Sequence, residues 1–275
     1  MLRPLRFTVF VFTALALALS NSQADAKTIE FKSEVSNGKW SRTLRGTLTF
    51  PNGKGPFPAV VFLHPCAGIT KQVRESQRAH SGYLLKNGFA TFTVDSFGPR
   101  RLNGGKACKG VLVDTSIRFM ADDAFNALDA LEKLDKVSKG DIFLAGQSLG
   151  ASAGLIAALA DQAPRKQIFR GIAAYYPSCG WISPVTKLRS PLITFGGEWD
   201  DWTPPGRCRS AKKIGNWSSG PEFEVIVYPK ALHGFDQRGK TRRYNGHLLG
   251  YSASATADSR KKMVEFFKRQ MKVKP

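Results

Sequence analysis

Acidic residues are scarce in this sequence, histidines are few, and closely spaced cysteines are missing. The chain has 275 residues, with 41 Lys and Arg against 21 Asp and Glu, so its formal net charge is +20 at pH 7. Such a balance indicates electrostatic partners rather than a particular fold. Hydrophobic residues make up 42% and aromatic residues 11% of the chain. The chain can therefore bury a core, which excludes a disordered tail or a mini-protein.

The four cysteines, Cys66, Cys108, Cys179 and Cys208, lie far apart in the sequence. None has the C-x-x-C spacing that is typical of a zinc knuckle or a redox pair, so we predict no metal site and no cofactor. Motifs for nucleic-acid recognition are also missing. The positive charge is therefore not interpreted as nucleic-acid binding.

The first residues have the parts of a secretory signal peptide. Two arginines precede an apolar run over residues 7–19, and the small-x-small sequence 24–26 follows it. We expect residues 1–26 to be cleaved and residues 27–275 to be exported to the periplasm or secreted. The alternative is an uncleaved anchor, but the run is too short to span about 30 Å of hydrocarbon comfortably. No stable membrane span is expected after cleavage.

Short apolar segments alternate with helical patterns along the rest of the chain. Segments 29–35 and 42–50 alternate apolar and polar residues around Asn37-Gly38, which predicts an antiparallel hairpin. Helices are predicted over residues 114–131 and 258–271. Six apolar runs have the character of strands buried on both faces: 59–63, 89–94, 142–145, 172–176, 192–195 and 223–228.

Strands that alternate with helices require crossover connections, which produce a mostly parallel sheet with helices on both faces. We therefore predict an α/β protein with about eight strands and the antiparallel N-terminal hairpin at the edge of the sheet. The sequence has no internal repeat and no long linker. A single domain over residues 27–275 fits these observations best.

The strongest chemical signal is Gly146-x-Ser148-x-Gly150. An apolar strand runs directly into it, and a helix of small residues over 151–160 follows. This is the context of the nucleophile elbow, in which a serine lies at a sharp strand-to-helix turn. The alternative is a Gly/Ser loop without chemistry.

A serine nucleophile needs a histidine base, and the chain offers four histidines. In the α/β-hydrolase order the acid and then the histidine follow the serine, which disfavours His64 and His80. His233 comes just after the last apolar strand, at the edge where such a sheet holds its sites. His247 lies in a polar segment without a preceding strand. We therefore favour His233.

The candidate acids follow the strand over 192–195. Asp200 and Asp201 are adjacent and point in different directions, so one of them is expected to serve, and Glu198 is a weaker third choice. The alternative role for an aspartate here is the N-cap of a helix that begins near Pro204.

An oxyanion hole needs two backbone N–H groups. One is expected from Leu149, directly after the serine, and the other from the loop after the strand that ends at Leu63. Cys66 is the candidate donor in that loop and Ala67 the second choice, because Pro65 has no N–H.

Five segments carry one resemblance: FLHPCAG (62–68), VDSFGPR (94–100), GQSLG (146–150), GEWDDWTP (197–204) and LHGFD (232–236). Together they resemble the dienelactone hydrolase family of the α/β-hydrolase superfamily. The resemblance implies the α/β-hydrolase fold, with Asp200 as the acid and His233 as the base. The family's namesake enzymes use a cysteine nucleophile, whereas this chain has Ser148. The resemblance therefore implies hydrolysis of a small carboxylic ester or lactone rather than of one named compound.

Export permits disulfides, and an even number of cysteines favours two of them. Cys179 and Cys208 follow two consecutive strands, as do Cys66 and Cys108, so we predict these two pairs among three connectivities. A reactive thiol at Cys66 is the alternative.

Charged side chains also lie near the expected site. Asp95 and Arg100 follow a strand at the same edge, where they would orient substrate or form a structural ion pair with each other. Basic loops around 100–109 and 238–243 suggest an anionic substrate, although a solvated surface explains them equally simply. Two other functions stay open: an exported polyanion-binding protein on an inactive hydrolase fold, and a thioesterase or peptidase of the same fold.

Overall fold

The computed structural model describes residues 26–36, 38–183, 187–215 and 220–272. Most of the predicted signal peptide, residues 1–25, and Asn37 of the predicted turn lie outside this part of the chain. Eight strands form one sheet: β1 (Ala26–Ser33), β2 (Arg42–Thr49), β3 (Phe57–Leu63), β4 (Ala90–Asp95), β5 (Val137–Gln147), β6 (Ile172–Tyr175), β7 (Leu192–Gly197) and β8 (Phe223–Tyr228).

The described residues also form five α-helices and a small hairpin. The helices are α1 (Lys71–Lys86), α2 (Leu112–Glu132), α3 (Leu149–Ala158), α4 (Gly206–Ile214) and α5 (Ala253–Gln270). Strands β9 (Arg242–Tyr244) and β10 (His247–Leu249) pair antiparallel outside the main sheet. No helix in the described ranges has both the length and the apolar character needed to cross a bilayer.

The strand order is β1-β2-β4-β3-β5-β6-β7-β8. β1 and β2 form an antiparallel hairpin at one edge, β2 also pairs antiparallel with β4, and all further pairs are parallel. The predicted mostly parallel sheet with an N-terminal hairpin is therefore confirmed. The parallel strands end at a common edge, where the loops that follow them meet.

Helices cover both faces of the sheet, as the continuous apolar runs predict. In β3, Val61 packs into the cluster formed with α2 and α3, whereas Val60 and Phe62 pack into the cluster formed with α1 and α5. Successive strand residues point to opposite faces, so this burial on both sides requires an uninterrupted apolar sequence.

Two helices differ from the sequence-based expectation. α1 has few apolar residues and was not predicted, because only one narrow side of it is buried. α5 begins at Ala253, several residues before the predicted start, since Ser252 caps it by accepting a hydrogen bond from the Ala255 N–H. The first turn of α5 is made of small and polar residues, which carry no apolar period.

Candidate active site

Ser148 lies at a sharp turn between β5 and α3, with a backbone φ of 51°. A positive φ is unfavourable for a residue with a side chain, so the surrounding backbone must enforce it. The two glycines make the turn sterically feasible. A Cβ at Gly146 would lie 2.4 Å from the Gly150 oxygen, and one at Gly150 would lie 2.6 Å from the His64 oxygen. The G-x-S-x-G sequence is therefore a packing requirement of this turn.

The structure brings together Ser148, His233 and Asp200, which come from three separate loops. His233 Nε2 lies 3.0 Å from Ser148 Oγ, and His233 Nδ1 lies 2.8 Å from Asp200 Oδ2. All three residues are buried, with 8%, 3% and 3% exposure for Ser148, His233 and Asp200. A hydroxyl bonded to an imidazole that is in turn bonded to a carboxylate is the arrangement that nucleophilic catalysis requires.

Asp200 is held by its own loop. Its Oδ1 accepts hydrogen bonds from the backbone N–H groups of Trp202 (2.9 Å) and Thr203 (2.8 Å), and the Thr203 hydroxyl lies 2.9 Å from Oδ2. Burial alone would raise the pKa of Asp200, but the hydrogen bond and the electrostatic interaction with His233, together with the hydrogen bonds from Thr203, lower it below its ordinary value. The carboxylate is therefore ionised and oriented towards His233.

The other candidate acids point elsewhere. Asp201 Oδ1 accepts a hydrogen bond from the Leu248 N–H and lies 3.5 Å from His247 Nδ1. Glu198 accepts a hydrogen bond from the Lys230 N–H. Neither carboxylate contacts His233, in agreement with the preference for Asp200.

The other histidines have structural contacts. His64 is fully buried, and its Nδ1 lies 2.8 Å from the Pro65 oxygen while its Nε2 accepts a hydrogen bond from the Ser96 N–H. Burial lowers its pKa, so the ring is neutral and donates from Nδ1. The His247 ring stacks on Trp202, with centroids 4.8 Å apart. Neither ring bonds to Ser148 in the described part of the chain.

The amides predicted for the oxyanion hole are adjacent to the serine. Cys66 and Leu149 both line a cavity of about 70 Å³ that opens at Ser148. Within the described residues, no backbone or side-chain acceptor bonds to either N–H. Two unpaired amides beside a nucleophile can bind a negatively charged oxygen. A larger groove of about 900 Å³ between α1 and the edge strands contains none of the residues Ser148, Asp200 and His233.

Asp95 and Arg100 do not form the ion pair that was expected between them. Asp95 instead accepts hydrogen bonds from the Phe97 and Gly98 N–H groups, which closes the turn after β4. The Arg100 guanidinium is buried against Asp123, with two N–O distances of 2.7 and 2.8 Å. The Arg100 side chain is fully buried in this ion pair with Asp123 of α2, so the structure gives it a structural contact, and the substrate-orienting role stays a prediction.

Removing the partner of this buried arginine should destabilise the protein. We expect Asp123→Asn to lower the free energy of unfolding by about 3–5 kcal/mol, because it leaves the Arg100 charge buried without compensation. Urea denaturation followed by circular dichroism measures the change.

A matched control for Asp123→Asn lies on the same helix. Asp129 pairs with Arg165 at 3.6 Å, with both side chains close to one-third exposed. We expect Asp129→Asn to change the stability by less than about 1 kcal/mol. Equal effects of the two substitutions would contradict the structural role of the Arg100 pair.

Both predicted disulfides are present in the structure. Cys66–Cys108 joins the loop after β3 to a single-turn 3-10 helix (Lys106–Cys108), and Cys179–Cys208 joins the segment after β6 to α4. The described residues contain no free cysteine, so Cys66 is not a reactive thiol. No cluster of His, Cys, Asp or Glu suitable for a metal ion occurs in the ranges that the structure describes.

A buried cluster around Asp236 was not predicted. Four side chains donate hydrogen bonds to this carboxylate: Ser76 (3.1 Å), His80 (2.7 Å), Gln147 (2.6 Å) and Tyr176 (2.7 Å). Burial would raise the pKa of Asp236, but the hydrogen bonds from these donors lower it below its ordinary value. Burial of the His80 ring lowers the pKa of His80. The pair is therefore an ionised carboxylate and a neutral histidine. Its members come from four distant segments, so no local pattern could reveal it.

The β9–β10 hairpin was also missed. Its segment is polar and short, and strands of three residues carry no readable period. The hairpin packs beside the site, because Trp202 contacts both His247 and Tyr244. Trp202 in turn lies 5.0 Å from His233, measured between ring centroids, so the hairpin supports the loop that carries Asp200.

A mostly parallel, helix-covered sheet with a serine at a strained strand-to-helix turn defines the α/β-hydrolase class. The model of the dienelactone hydrolase family matches residues 44–271. The chain therefore belongs to the dienelactone hydrolase family, which makes it a hydrolase of carboxylic esters or lactones. A comparison with curated proteins finds no match.

Solved structures with the same fold include three hydrolases of low sequence identity. A putative dienelactone hydrolase from Klebsiella pneumoniae subsp. pneumoniae MGH 78578 is 16% identical, with a TM-score of 0.62 over 88% of this chain and 98% of that chain. The dienelactone hydrolase-like promiscuous phosphotriesterase P91 from metagenomic libraries is 18% identical, with a TM-score of 0.62 over 90% and 99%. A thermophilic esterase from Thermogutta terrifontis is 16% identical, with a TM-score of 0.60 over 90% and 92%.

Proposed function

We propose that this protein is an exported serine hydrolase that cleaves a small carboxylic ester or lactone through a covalent acyl-enzyme. Ser148 is the nucleophile, His233 the general base and Asp200 the acid that orients it. The observation that carries the proposal is the continuous hydrogen-bond path from Ser148 Oγ through His233 to Asp200, with links of 3.0 and 2.8 Å.

The first half of the reaction forms the acyl-enzyme. Ser148 Oγ attacks the carbonyl carbon while His233 Nε2 takes the hydroxyl proton, and the ionised Asp200 stabilises the resulting imidazolium through Nδ1–H. The Cys66 and Leu149 N–H groups bind the oxyanion of the tetrahedral intermediate. This intermediate collapses as His233 returns the proton to the leaving oxygen, which releases an alcohol or opens a lactone ring.

The second half releases the acid. His233, now neutral, takes a proton from a water molecule that attacks the acyl carbon, and the same two amides hold the second tetrahedral intermediate. Collapse breaks the bond to Ser148 Oγ, and His233 returns the proton to that oxygen. One water is consumed for each bond cleaved, and the enzyme is regenerated without a cofactor.

Export and the domain boundaries are part of the proposal. Residues 1–26 are the signal peptide, and residues 27–275 form one hydrolase domain. Two disulfides support an oxidising compartment, because such bonds do not persist in a reducing cytosol. Arg242 and Arg243 of the β9–β10 hairpin, next to the site, support an anionic substrate or an acidic surface as the setting.

A fluorophosphonate probe tests the nucleophile directly. We expect one label per chain on Ser148, located by peptide mass spectrometry, and no label on the Ser148→Ala variant. A fold neighbour, the T. terrifontis esterase 2, is phosphorylated by paraoxon. If the folded protein takes no label but is retained on heparin in a salt-sensitive manner, the polyanion-binding alternative replaces this proposal.

A further inference from the structure

We propose that the Cys66–Cys108 disulfide forms a wall of the acyl pocket and restricts this hydrolase to esters of short-chain acids, with propionyl and butyryl groups as the best fit. This inference rests on the proposed function, since it assigns the acyl side of that site. It adds a specificity-determining role to a bond that would otherwise be regarded only as a stabilising cross-link.

The cavity at Ser148 is small. Its volume is about 70 Å³, against roughly 300–1,000 Å³ for typical sites of drug-sized ligands. A cavity this much smaller than a typical ligand site favours a short carbon chain over a long one. The cavity is lined by Cys66, Ala107, Cys108, Val113, Ile117, Ser148, Leu149, Ser152, Ser178, Trp202 and Thr203.

The lining identifies which part of the substrate enters. Because the Cys66 and Leu149 amides lie in its wall, the carbonyl group of the substrate sits at its mouth. The leaving oxygen must lie beside His233 to receive the proton, and His233 does not line the cavity. The cavity therefore takes the carbon chain on the acyl side. Among short chains, we propose two or three carbons beyond the carbonyl, which are the propionyl and butyryl groups.

One wall of this cavity depends on the disulfide. Ala107 and Cys108 belong to the single-turn 3-10 helix, within a connection between β4 and α2 that has positive φ at Gly104, Gly105 and Gly110. Residues 96–111, all of which the structure describes, form only two single-turn 3-10 helices and turns, so no longer element fixes the position of this connection. The bond to Cys66 attaches it covalently to the loop that carries an oxyanion amide.

A second part of the wall belongs to α2 and carries no cross-link of its own. Val113 and Ile117 lie one turn apart on the same face of α2, a helix of 21 residues packed on the sheet. The pocket is therefore a gap between a fixed helix and a tethered connection. Enlarging the pocket on the α2 side or on the disulfide side should admit longer acyl chains. Substitutions on each side therefore test the proposal separately.

The experiment measures kcat/KM for p-nitrophenyl acetate, propionate, butyrate, hexanoate and octanoate. For the wild-type enzyme we expect a maximum at butyrate or at propionate, and a fall of about tenfold or more by octanoate. Ile117→Ala should raise the octanoate-to-butyrate ratio about tenfold, because it removes three carbons from the α2 part of the wall. The double variant Cys66→Ser/Cys108→Ser should raise the same ratio and lower kcat for butyrate.

The matched control removes the other disulfide. Cys179→Ser/Cys208→Ser also deletes one cross-link, and we expect it to lower the melting temperature while the octanoate-to-butyrate ratio stays as in the wild type. If the Cys66/Cys108 variant does not fold, Ala107→Val takes its place. This substitution thickens the same wall and should lower butyrate turnover relative to acetate.

The outcomes separate this inference from the proposed function. If the wild-type enzyme has the same kcat/KM for octanoate as for butyrate, the short-acyl assignment is overturned. Fluorophosphonate labelling of Ser148 would in that case still support the proposed mechanism. If the folded Cys66/Cys108 variant keeps the wild-type chain-length profile, the disulfide is not a pocket wall. If Ala107→Val is used in its place and leaves the butyrate-to-acetate ratio unchanged, the segment that the disulfide tethers does not line the acyl pocket, and the proposal fails. Absence of labelling at Ser148 would instead remove the proposed function itself.

Discussion

Replacing Ser148 by alanine should lower kcat for a short-chain p-nitrophenyl ester by about a million-fold. The methyl group cannot attack the carbonyl, so only the oxyanion amides and substrate binding remain to accelerate direct attack by water. His233→Ala should cost a similar factor, and the double variant no more than either single one, because the two side chains act as a unit. Steady-state kinetics, with the enzyme concentration determined from protein absorbance, measures these losses.

A control for this substitution should change a serine outside the site. Ser254 is exposed in the first turn of α5, and Ser254→Ala should keep the wild-type kcat. Circular dichroism of all variants separates loss of chemistry from loss of fold. Retention of wild-type esterase activity by folded Ser148→Ala would refute the assignment of the nucleophile.

Asp200→Asn should lower kcat by about ten-thousand-fold near neutral pH. An amide that donates to Nδ1 would force the proton of His233 onto Nε2, and the imidazole could then no longer accept the proton of Ser148. The negative charge that stabilises the imidazolium would be lost as well. The loss is expected in kcat, with KM within a few-fold of the wild type, because Asp200 contacts the base rather than the substrate.

The adjacent aspartate provides the matched control. Asp201 is half-exposed and faces His247 at 3.5 Å, so Asp201→Asn should leave kcat within a few-fold of the wild type. The two substitutions make the same chemical change one residue apart on the same loop. A greater loss with Asp201→Asn than with Asp200→Asn would show that the acid has been assigned to the wrong residue.

The features predicted from sequence are those that depend on local pattern or chain order. The buried strands are visible as apolar runs because both faces of the sheet are covered. The turn at Ser148 is visible because the steric conflicts at Gly146 and Gly150 demand glycine two residues to either side. The disulfide pairs followed from the rule that consecutive parallel strands lie near each other, so the loops after them meet at one edge.

Features that depend on contacts between distant segments could not be predicted in this way. Arg100 finds Asp123 on α2 rather than Asp95, because Asp95 is used by the turn that directly follows it. The hairpin beside Trp202 consists of two strands of three residues, too short for a hydrophobic period. Sequence spacing identifies which loops meet at an edge of a sheet, but it does not give the direction in which each side chain points.

The Asp236 cluster has a consequence for how the site keeps its geometry. Asp236 lies three residues after His233, and its carboxylate binds Gln147, the residue directly before Ser148. The same carboxylate binds the hydroxyl of Tyr176, whose ring packs against His233 with centroids 4.6 Å apart. Neither loop can shift relative to the other without breaking a hydrogen bond to one buried charge. The relative position of Ser148 and His233 is thus held by the buried Asp236 carboxylate, which acts through Gln147 and Tyr176 and does not itself contact the substrate.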